Sequence, residues 1–489
     1  MIKLRPWQNE VLIKSMQWLL EEKKDRHFLI NAAPGSGKTI AACAIAKALL
    51  EKKEIDRVIV IAPRREVVNQ WAKDFQIVTG RYMAKVTGSD GDIDHLGTDI
   101  CATWAACQGL LDAMQAVCRA HNTLVICDEH HHAAVEAAWG SSANSAFIDA
   151  KFVLVLTGTP IRSDGADSIW LAYDDYGAID HPEAGTYTLT YGTAVDLGYC
   201  RPTTFHRHEG KFRIDLDHGE SIQVTGQRVE PLPKNLARIA GLQRALKFYH
   251  LACTPQYEPD RLTPLASGYQ GTMVEWGCTK LTQIRDRMPN AGGLVICPSI
   301  EMAEYMVKLI EIIDGEPPAL VHSLAGNSDS KISAFRNTEK RWLVSVAMVS
   351  EGVDIKRLRV LVYLPNALTE LSFRQAIGRV VRTVGPSDDT RAYVVMPSMD
   401  TLERYARKVE YEMSPSKRRE SRDSNTKKCP ICAAECELNA QTCATCDFEF
   451  PQPTTRYRTC DRCASLNPMS ATKCQNCGNS FEQPFSLTL

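Results

Sequence analysis

The sequence has no excess of charge of either sign. Its 57 Lys and Arg stand against 58 Asp and Glu, a formal net charge of -1, so no bulk attraction draws it to nucleic acid and any such binding has to come from local basic faces. No apolar run approaches the length of a membrane span, so no membrane partner is expected, and the start, Met1-Ile2-Lys3-Leu4-Arg5, does not read as a secretory signal. The expectation is a soluble, intracellular protein that is not secreted. A nuclease motif is missing too. What is present is ordinary globular material, 489 residues with 44% hydrophobic and 24% charged, enough for roughly two to four domains with sizeable cores.

The 18 cysteines are unevenly spread. Nine are scattered through residues 1–428 (Cys43, Cys101, Cys107, Cys118, Cys127, Cys200, Cys253, Cys278 and Cys297), mostly in apolar contexts, where core thiols are the commonest outcome. The other nine crowd into the last 61 residues, eight of them as C-x2-C pairs: Cys429 and Cys432, Cys443 and Cys446, Cys460 and Cys463, Cys474 and Cys477. The first four recur 31 residues later as the second four, and Phe450 recurs as Phe481, so the tail is an internal duplication. Four thiolates in two knuckles suit tetrahedral Zn²⁺, and about 30 residues are too few for a core without such a staple. Disulfides or an iron–sulfur cluster are the competing readings. Two zinc ribbons are expected, over residues 429–450 and 460–481, with two Zn²⁺ per chain. Cys436, whose counterpart is Asn467, is a spare thiol in this reading.

Along the chain, apolar runs alternate with helical patterns. Trp7, Val11, Leu12, Trp18 and Leu19 recur at helical spacing behind Pro6, and runs at 28–31, 58–62, 100–103, 123–127 and 152–157 read as buried parallel strands. A second β–α series begins at residues 293–298 and continues through 342–346, 360–364 and 391–396. Between them, residues 200–290 carry several prolines and little pattern. The fold class is therefore α/β, two parallel-sheet domains in tandem followed by the two four-cysteine ribbons. The boundaries are 1–200 for the first domain, 201–290 for a connector or inserted subdomain, 291–412 for the second domain, and 413–428 for a polar, charged linker.

Two stretches carry chemistry in the first domain. In Ala32-Ala33-Pro34-Gly35-Ser36-Gly37-Lys38-Thr39 the glycines let backbone amides turn toward an anion, and the helix that follows adds the positive end of its dipole. Lys38 supplies a point charge for β and γ phosphates, and Thr39 a hydroxyl for Mg²⁺. Ala32 stands where the general phosphate-loop pattern has Gly. The second stretch, Asp128-Glu129-His130-His131, ends the run at 123–127. Two acids at a strand end also describe a solvated loop start. Beside a phosphate loop they have a purpose: Asp128 holds the metal, and Glu129 orients or deprotonates an attacking water. The run His130-His131-His132 could instead bind metal, though the acidic context accounts for it. In the second domain Gln375, Arg379 and Arg382 fall at i, i+4 and i+7, one face of a helix. Such a stripe is either solvated or set to meet phosphate with planar guanidinium groups.

In order, Leu4-Arg5-Pro6-Trp7-Gln8, the loop at 33–39, Asp128–His131, Thr157-Gly158-Thr159-Pro160, Ser350-Glu351-Gly352-Val353-Asp354 and the stretch Gln375 to Arg382 resemble the motif series of superfamily 2 DExH-box helicases, over about residues 1–400. The segments 191–202 and 291–298, and more weakly the cysteine tail, look like the type III restriction/RadD-like branch. The resemblance implies two RecA-like domains with ATP between them and a nucleic-acid strand across the top. It implies that Gln8 reads the adenine edge with Arg5 nearby. Pro34, Gly35, Ser36, Gly37, Lys38 and Thr39 cradle the nucleotide, and His131 couples hydrolysis to the segment at 157–159. Gly352 and Asp354 touch the ribose or transmit closure, and Gln375, Arg379 and Arg382 act on the γ-phosphate. Pro63-Arg64-Arg65 matches a strand-contacting segment, as does the stretch around Thr103, although the two arginines could be a solvated helix start.

The function expected is an ATP-dependent DNA helicase or translocase of DNA repair, recombination or replication, cytoplasmic or nucleoid-associated. It would act on single-stranded or branched DNA, with the ribbons binding DNA or a replication or repair protein. An RNA helicase, and a nucleotide-switched clamp that binds without unwinding, are the alternatives.

Overall fold

A computed structural model describes the chain outside residues 1–2, 91–92, 94–95, 130–145, 159–171, 174–178, 216–220, 227–245, 323–327, 347–354, 385–387, 414–425, 429–434, 438–441, 443–456, 461, 464, 469–470, 472 and 480–489. The chain divides into two units. Met1–Cys200 is the body of the first, and Arg201–Ser350 with Asp354–Ser414 that of the second.

In the first unit the strands are β1 (His27–Ala32), β2 (Arg57–Ala62), β3 (Met83–Lys85), β4 (Asp99–Thr103), β5 (Thr123–Asp128), β6 (Phe152–Thr157) and β7 (Thr186–Leu189). They form one sheet in the order β3-β4-β2-β5-β6-β1-β7. Every pairing is parallel. Each residue of β2, β5 and β6 is buried, which is why these strands read as unbroken apolar runs and not as alternation. A fully buried Val, Leu or Ile side chain contributes about 1.5–3 kcal/mol, so these central strands anchor the unit. Helices α1 (Pro6–Met16), α2 (Lys38–Glu51), α3 (Arg65–Thr79) and α4 (Trp104–Gly109) accompany the sheet. All strands run one way, so the loops after β1, β2, β4, β5 and β6 gather at one edge, where open parallel sheets hold ligands. Only β6 separates β5 from β1. Two strand spacings, about 10 Å, thus part the two chemical stretches.

The second unit has a six-stranded parallel sheet built from β8 (Thr203–His208), β9 (Gly292–Cys297), β10 (Ala319–Val321), β11 (Trp342–Val346), β12 (Leu358–Tyr363) and β13 (Ala392–Pro397) in the order β8-β13-β12-β9-β11-β10. Its helices include α5 (Tyr269–Arg285), α6 (Ile300–Asp314), α7 (Glu370–Val380) and α8 (Asp400–Glu412). Met273, Val274 and Leu281 of α5 join Met302, Met306 and Leu309 of α6 in one core with Val295 and Val344 of the sheet. The strand β9 passes so close to Trp342 that a β-carbon at Gly293 would lie 2.3 Å from the ring. Residues 201–290, set apart in the sequence as connector or inserted subdomain, supply both the edge strand β8 and the core helix α5 to this unit.

Eight of the nine scattered cysteines are buried and Cys253 is half-buried. Burial pushes the thiols of Cys107 and Cys118 up to about 12, which keeps them neutral. In the tail, Thr426–Lys428 pairs antiparallel with Glu435–Glu437, and Tyr457–Thr459 with Leu466–Pro468. The second hairpin follows the first at the 31-residue spacing of the sequence repeat (426 to 457, 435 to 466). Among the described residues no helix is long and apolar enough to cross a membrane.

Candidate functional site

The loop from β1 to α2 carries two glycines in left-handed backbone, Gly35 at φ +79° and Gly37 at φ +100°. Because α2 starts at Lys38, the unpaired amides of its first turn and its positive dipole end open onto this loop. Two residues at the start of α1 clamp the loop from outside. Arg5 Nη1 donates to Ser36 O at 2.7 Å, and Gln8 Nε2 donates to Gly37 O at 3.0 Å, while Gln8 Oε1 accepts from Arg5 N at 2.8 Å. The Arg5 guanidinium also lies 4.6 Å from the centre of the Tyr199 ring, and the neighbouring Cys200 thiol donates to Pro34 O at 3.2 Å. Lys38 Nζ donates to Ala32 O at 2.9 Å. Gly158 lies alongside, and a β-carbon there would come 2.9 Å from Lys38 Nζ.

A triphosphate fits what is here. The cation, the first-turn amides and the left-handed glycines face one loop, and Ser36 Oγ is buried with no hydrogen-bond partner among the described residues. Mg²⁺ fits the donor set of Thr39, at the start of α2, and Asp128, at the end of β5 on the same sheet edge.

Asp128 is held by two residues the sequence reading passed over. Trp71 Nε1 donates to Asp128 Oδ2 at 2.8 Å, and Trp104 Nε1 donates to the Asp128 carbonyl at 3.0 Å. Glu129 follows in left-handed backbone, φ +50°, a conformation that costs energy for a non-glycine residue and recurs at functional sites. An indole at an apolar helix position reads in sequence simply as core. Only the distant carboxylate partner reveals its second task. His131, Gly352 and Asp354 lie outside the described residues.

Of the expected nucleic-acid contacts, Arg64 is the N-cap of α3 and Arg65, exposed, its first residue. Thr103 ends β4, and its Oγ1 accepts from Ala106 N at 3.2 Å, capping α4. Arg65 and Thr103 line one cleft of about 420 Å³, together with Asn69, Lys85, Thr87 and Gly88.

In the second unit Gln375 and Arg379 lie on α7, with Arg379 buried. The helix ends at Val380, so Arg382 stands beyond it and not on its third turn. Arg382 Nε donates to Gly378 O at 3.3 Å. The end of this helix is fastened by Arg201, whose backbone N donates to Val381 O at 2.6 Å and whose Nη1 donates to Val380 O at 2.9 Å. Arg201 and Arg359 both reach Asp388 Oδ2. Burial alone would raise the Asp388 carboxyl. The hydrogen bond and charge of Arg201, joined by the charge of Arg359, override it and hold the group well below the usual carboxylate range.

Cys460, Cys463, Cys474 and Cys477 bring their sulfurs within 4.8 Å of one another. The Sγ atoms of Cys460 and Cys477 are 3.6 Å apart, and those of Cys463 and Cys474 3.5 Å. A tetrahedron with zinc–sulfur bonds of about 2.3 Å has edges of about 3.8 Å, so four thiolates here fit Zn²⁺. Asn467, buried, donates from Nδ2 to Cys474 Sγ at 3.5 Å, a polar support of the kind that orients ligands. Cys429, Cys432, Cys443 and Cys446 lie outside the described residues, so one four-cysteine cluster is seen.

Comparisons with known proteins bear on the family. The model described as Type III restriction enzyme, res subunit, matches residues 1–162, and that described as Helicase conserved C-terminal domain matches residues 278–384. An uncharacterized protein of Mycobacterium tuberculosis, Rv2917, is 31% identical over 422 residues, 86% of this chain, and the chain spans 65% of that relative's length. Among solved structures, a fragment assigned as the HsdR subunit of a type I restriction enzyme from Vibrio vulnificus YJ016 is 18% identical, with a TM-score of 0.55 over 82% of this chain and 65% of that one. The ATP-dependent type ISP restriction-modification enzyme LlaBIII, solved bound to DNA, is 16% identical with a TM-score of 0.51, covering 81% of this chain and 28% of that one. Those two likenesses are of fold, and they agree with the two tandem matches in sequence. The chain belongs to the superfamily 2 helicases, in the branch of the type III restriction enzymes.

Proposed function

We propose that the protein is an ATP-dependent DNA helicase or translocase of the DExH type, acting in DNA repair, recombination or replication. The observation that carries this reading is the phosphate loop clamped by Arg5 and Gln8 on the same sheet edge as Asp128. In this reading Lys38 and the first amides of α2 bind the β and γ phosphates. Thr39 and Asp128 hold Mg²⁺, which supplies neutralising charge when bound. Glu129 orients the attacking water and takes its proton. Gln8 reads the base with Arg5 nearby, both tethered to the loop, and Gly352 and Asp354 touch the ribose or transmit closure. Arg379 and Arg382 supply positive charge to the γ-phosphate while Gln375 offers its neutral amide beside them, and His131 links hydrolysis to the segment after β6.

The motor then comprises residues 1–200 and 291–412, with 201–290 between them lending β8 and α5 to the second unit. A linker at 413–428 leads to zinc ribbons at 429–450 and 460–481, two Zn²⁺ per chain. Arg64, Arg65 and Thr103 meet the nucleic-acid backbone, and the ribbons meet DNA or a replication or repair protein. The preference for DNA rests on the type III restriction match over the first unit. Steady-state ATP turnover with single-stranded, forked and duplex DNA and with RNA tests it. Stronger stimulation by DNA is expected, and stimulation by RNA alone would overturn the preference.

A further inference from the structure

The candidate nucleic-acid cleft and the candidate metal-binding carboxylate are joined by two buried indoles. Trp71 lies on α3, six residues beyond Arg65 and three beyond Val68, both of which line the cleft. Its indole N–H ends on Asp128 Oδ2 at 2.8 Å. Trp104 stands between Thr103 and Ala105, which line the same cleft, and its indole N–H ends on the Asp128 carbonyl at 3.0 Å. The two rings are 0% and 1% exposed. One indole therefore fixes the carboxylate and the other the peptide that leads into Glu129 at φ +50°. Close-packed aromatic rings transmit a displacement instead of absorbing it. A backbone phosphate seated at the start of α3 or at Thr103 would thus be felt at Asp128 over one side chain.

We propose that Trp71 and Trp104 are positioning residues that couple occupancy of this cleft to ATP hydrolysis, by setting where Asp128 holds its metal and where Glu129 points. The inference rests on the function proposed above. Without nucleic acid, α3 and α4 leave the pair of acids short of the productive geometry. With it, the two indole bonds bring them into register. Removing an indole N–H while keeping an aromatic ring should then cut the response to nucleic acid and spare its binding.

The test uses the full chain with Trp71→Phe, Trp104→Phe and, for contrast, Arg65→Ala. ATP turnover is titrated with single-stranded DNA, and polymer binding is followed separately by fluorescence anisotropy. Each Phe variant should lower the maximal stimulated rate by about tenfold, within the range of ordinary coupling between sites, with half-maximal stimulation at the parent's DNA concentration. Trp71→Phe should also raise the Mg²⁺ concentration needed, since Asp128 Oδ2 loses its donor. Arg65→Ala should do the reverse, shifting the DNA concentration and sparing the maximum. A merely structural role for the indoles would not divide the effects in this way. Phe variants stimulated to the parent's maximum would overturn the coupling while leaving the helicase reading in place. A parent stimulated by neither DNA nor RNA would overturn that reading, and the coupling with it. Should either Phe variant fail to fold, the parent labelled with 5-fluorotryptophan answers instead. Two of its eight tryptophan resonances should shift both with DNA and with Mg²⁺ and nucleotide, and a spectrum in which none responds to both would overturn the proposal.

Discussion

Gln8 donates its side-chain amide to the carbonyl of Gly37 at 3.0 Å, and a β-carbon at Gly37 would lie 2.8 Å from that same nitrogen. The loop thus reaches its shape through a glycine at φ +100°, and a side chain there would have to displace the Gln8 amide from its bond. Gly37→Ala should meet both obstacles, strain of about 1–3 kcal/mol and a clash with the clamp. Isothermal titration should find ATP binding weakened by about tenfold or more, and the same strain should lower the unfolding temperature by several degrees. Binding at the parent's affinity would show that the loop does not need this conformation.

Asp388 joins Arg201 and Arg359 at the end of α7. Asp388→Asn leaves two guanidinium groups without their carboxylate, and removing one partner of a buried pair costs about 3–5 kcal/mol. The folded-state pKa of Asp388 is depressed, so its contribution is full above the unfolded value and fades as pH falls through the folded one. The gap in melting temperature between parent and Asp388→Asn should be widest near neutrality and should narrow below about pH 4. A gap that persists undiminished in acid would contradict this assignment.

The tail offers a count. Metal analysis of the parent should return two zinc per chain, and Cys436→Ser should leave that number alone. Cys474→Ser should lose one and unfold the hairpin Tyr457–Thr459 with Leu466–Pro468, because metal binding supplies the folding energy of so small a unit. One zinc in the parent, or an iron–sulfur absorption band, would contradict two separate sites.

What was legible in the sequence is what chemistry confines to consecutive residues. A phosphate loop needs its glycines, lysine and threonine at fixed spacing, and two acids at a strand end need only that strand, so Gly35, Gly37, Lys38, Thr39, Asp128 and Glu129 could be picked out along the chain. Contacts made by the fold could not. Trp71 meets Asp128 across 57 residues and Arg201 meets Asp388 across 187, and nothing local marks either pair. The edge strand β8 was obscured because only some of its residues are buried and it contains Thr203, Thr204, His206, Arg207 and His208. The spacing of Gln375, Arg379 and Arg382 projected one helix through all three, whereas the backbone leaves the helix at Val381. Periodicity carries no signal for where a helix stops when no glycine or proline marks the end.

The central claim is that the loop of Gly35 to Thr39, with Asp128 and Glu129, hydrolyses ATP when nucleic acid is bound. It is tested most directly by phosphate release from ATP at saturating single-stranded DNA, in the parent and in Glu129→Gln, with nucleotide binding measured on both. The account predicts that the parent turns over and that Glu129→Gln binds ATP at parental affinity but releases phosphate at least about 10²-fold more slowly. Turnover by Glu129→Gln at the parental rate, or a parent that releases no phosphate with any polymer, would contradict it.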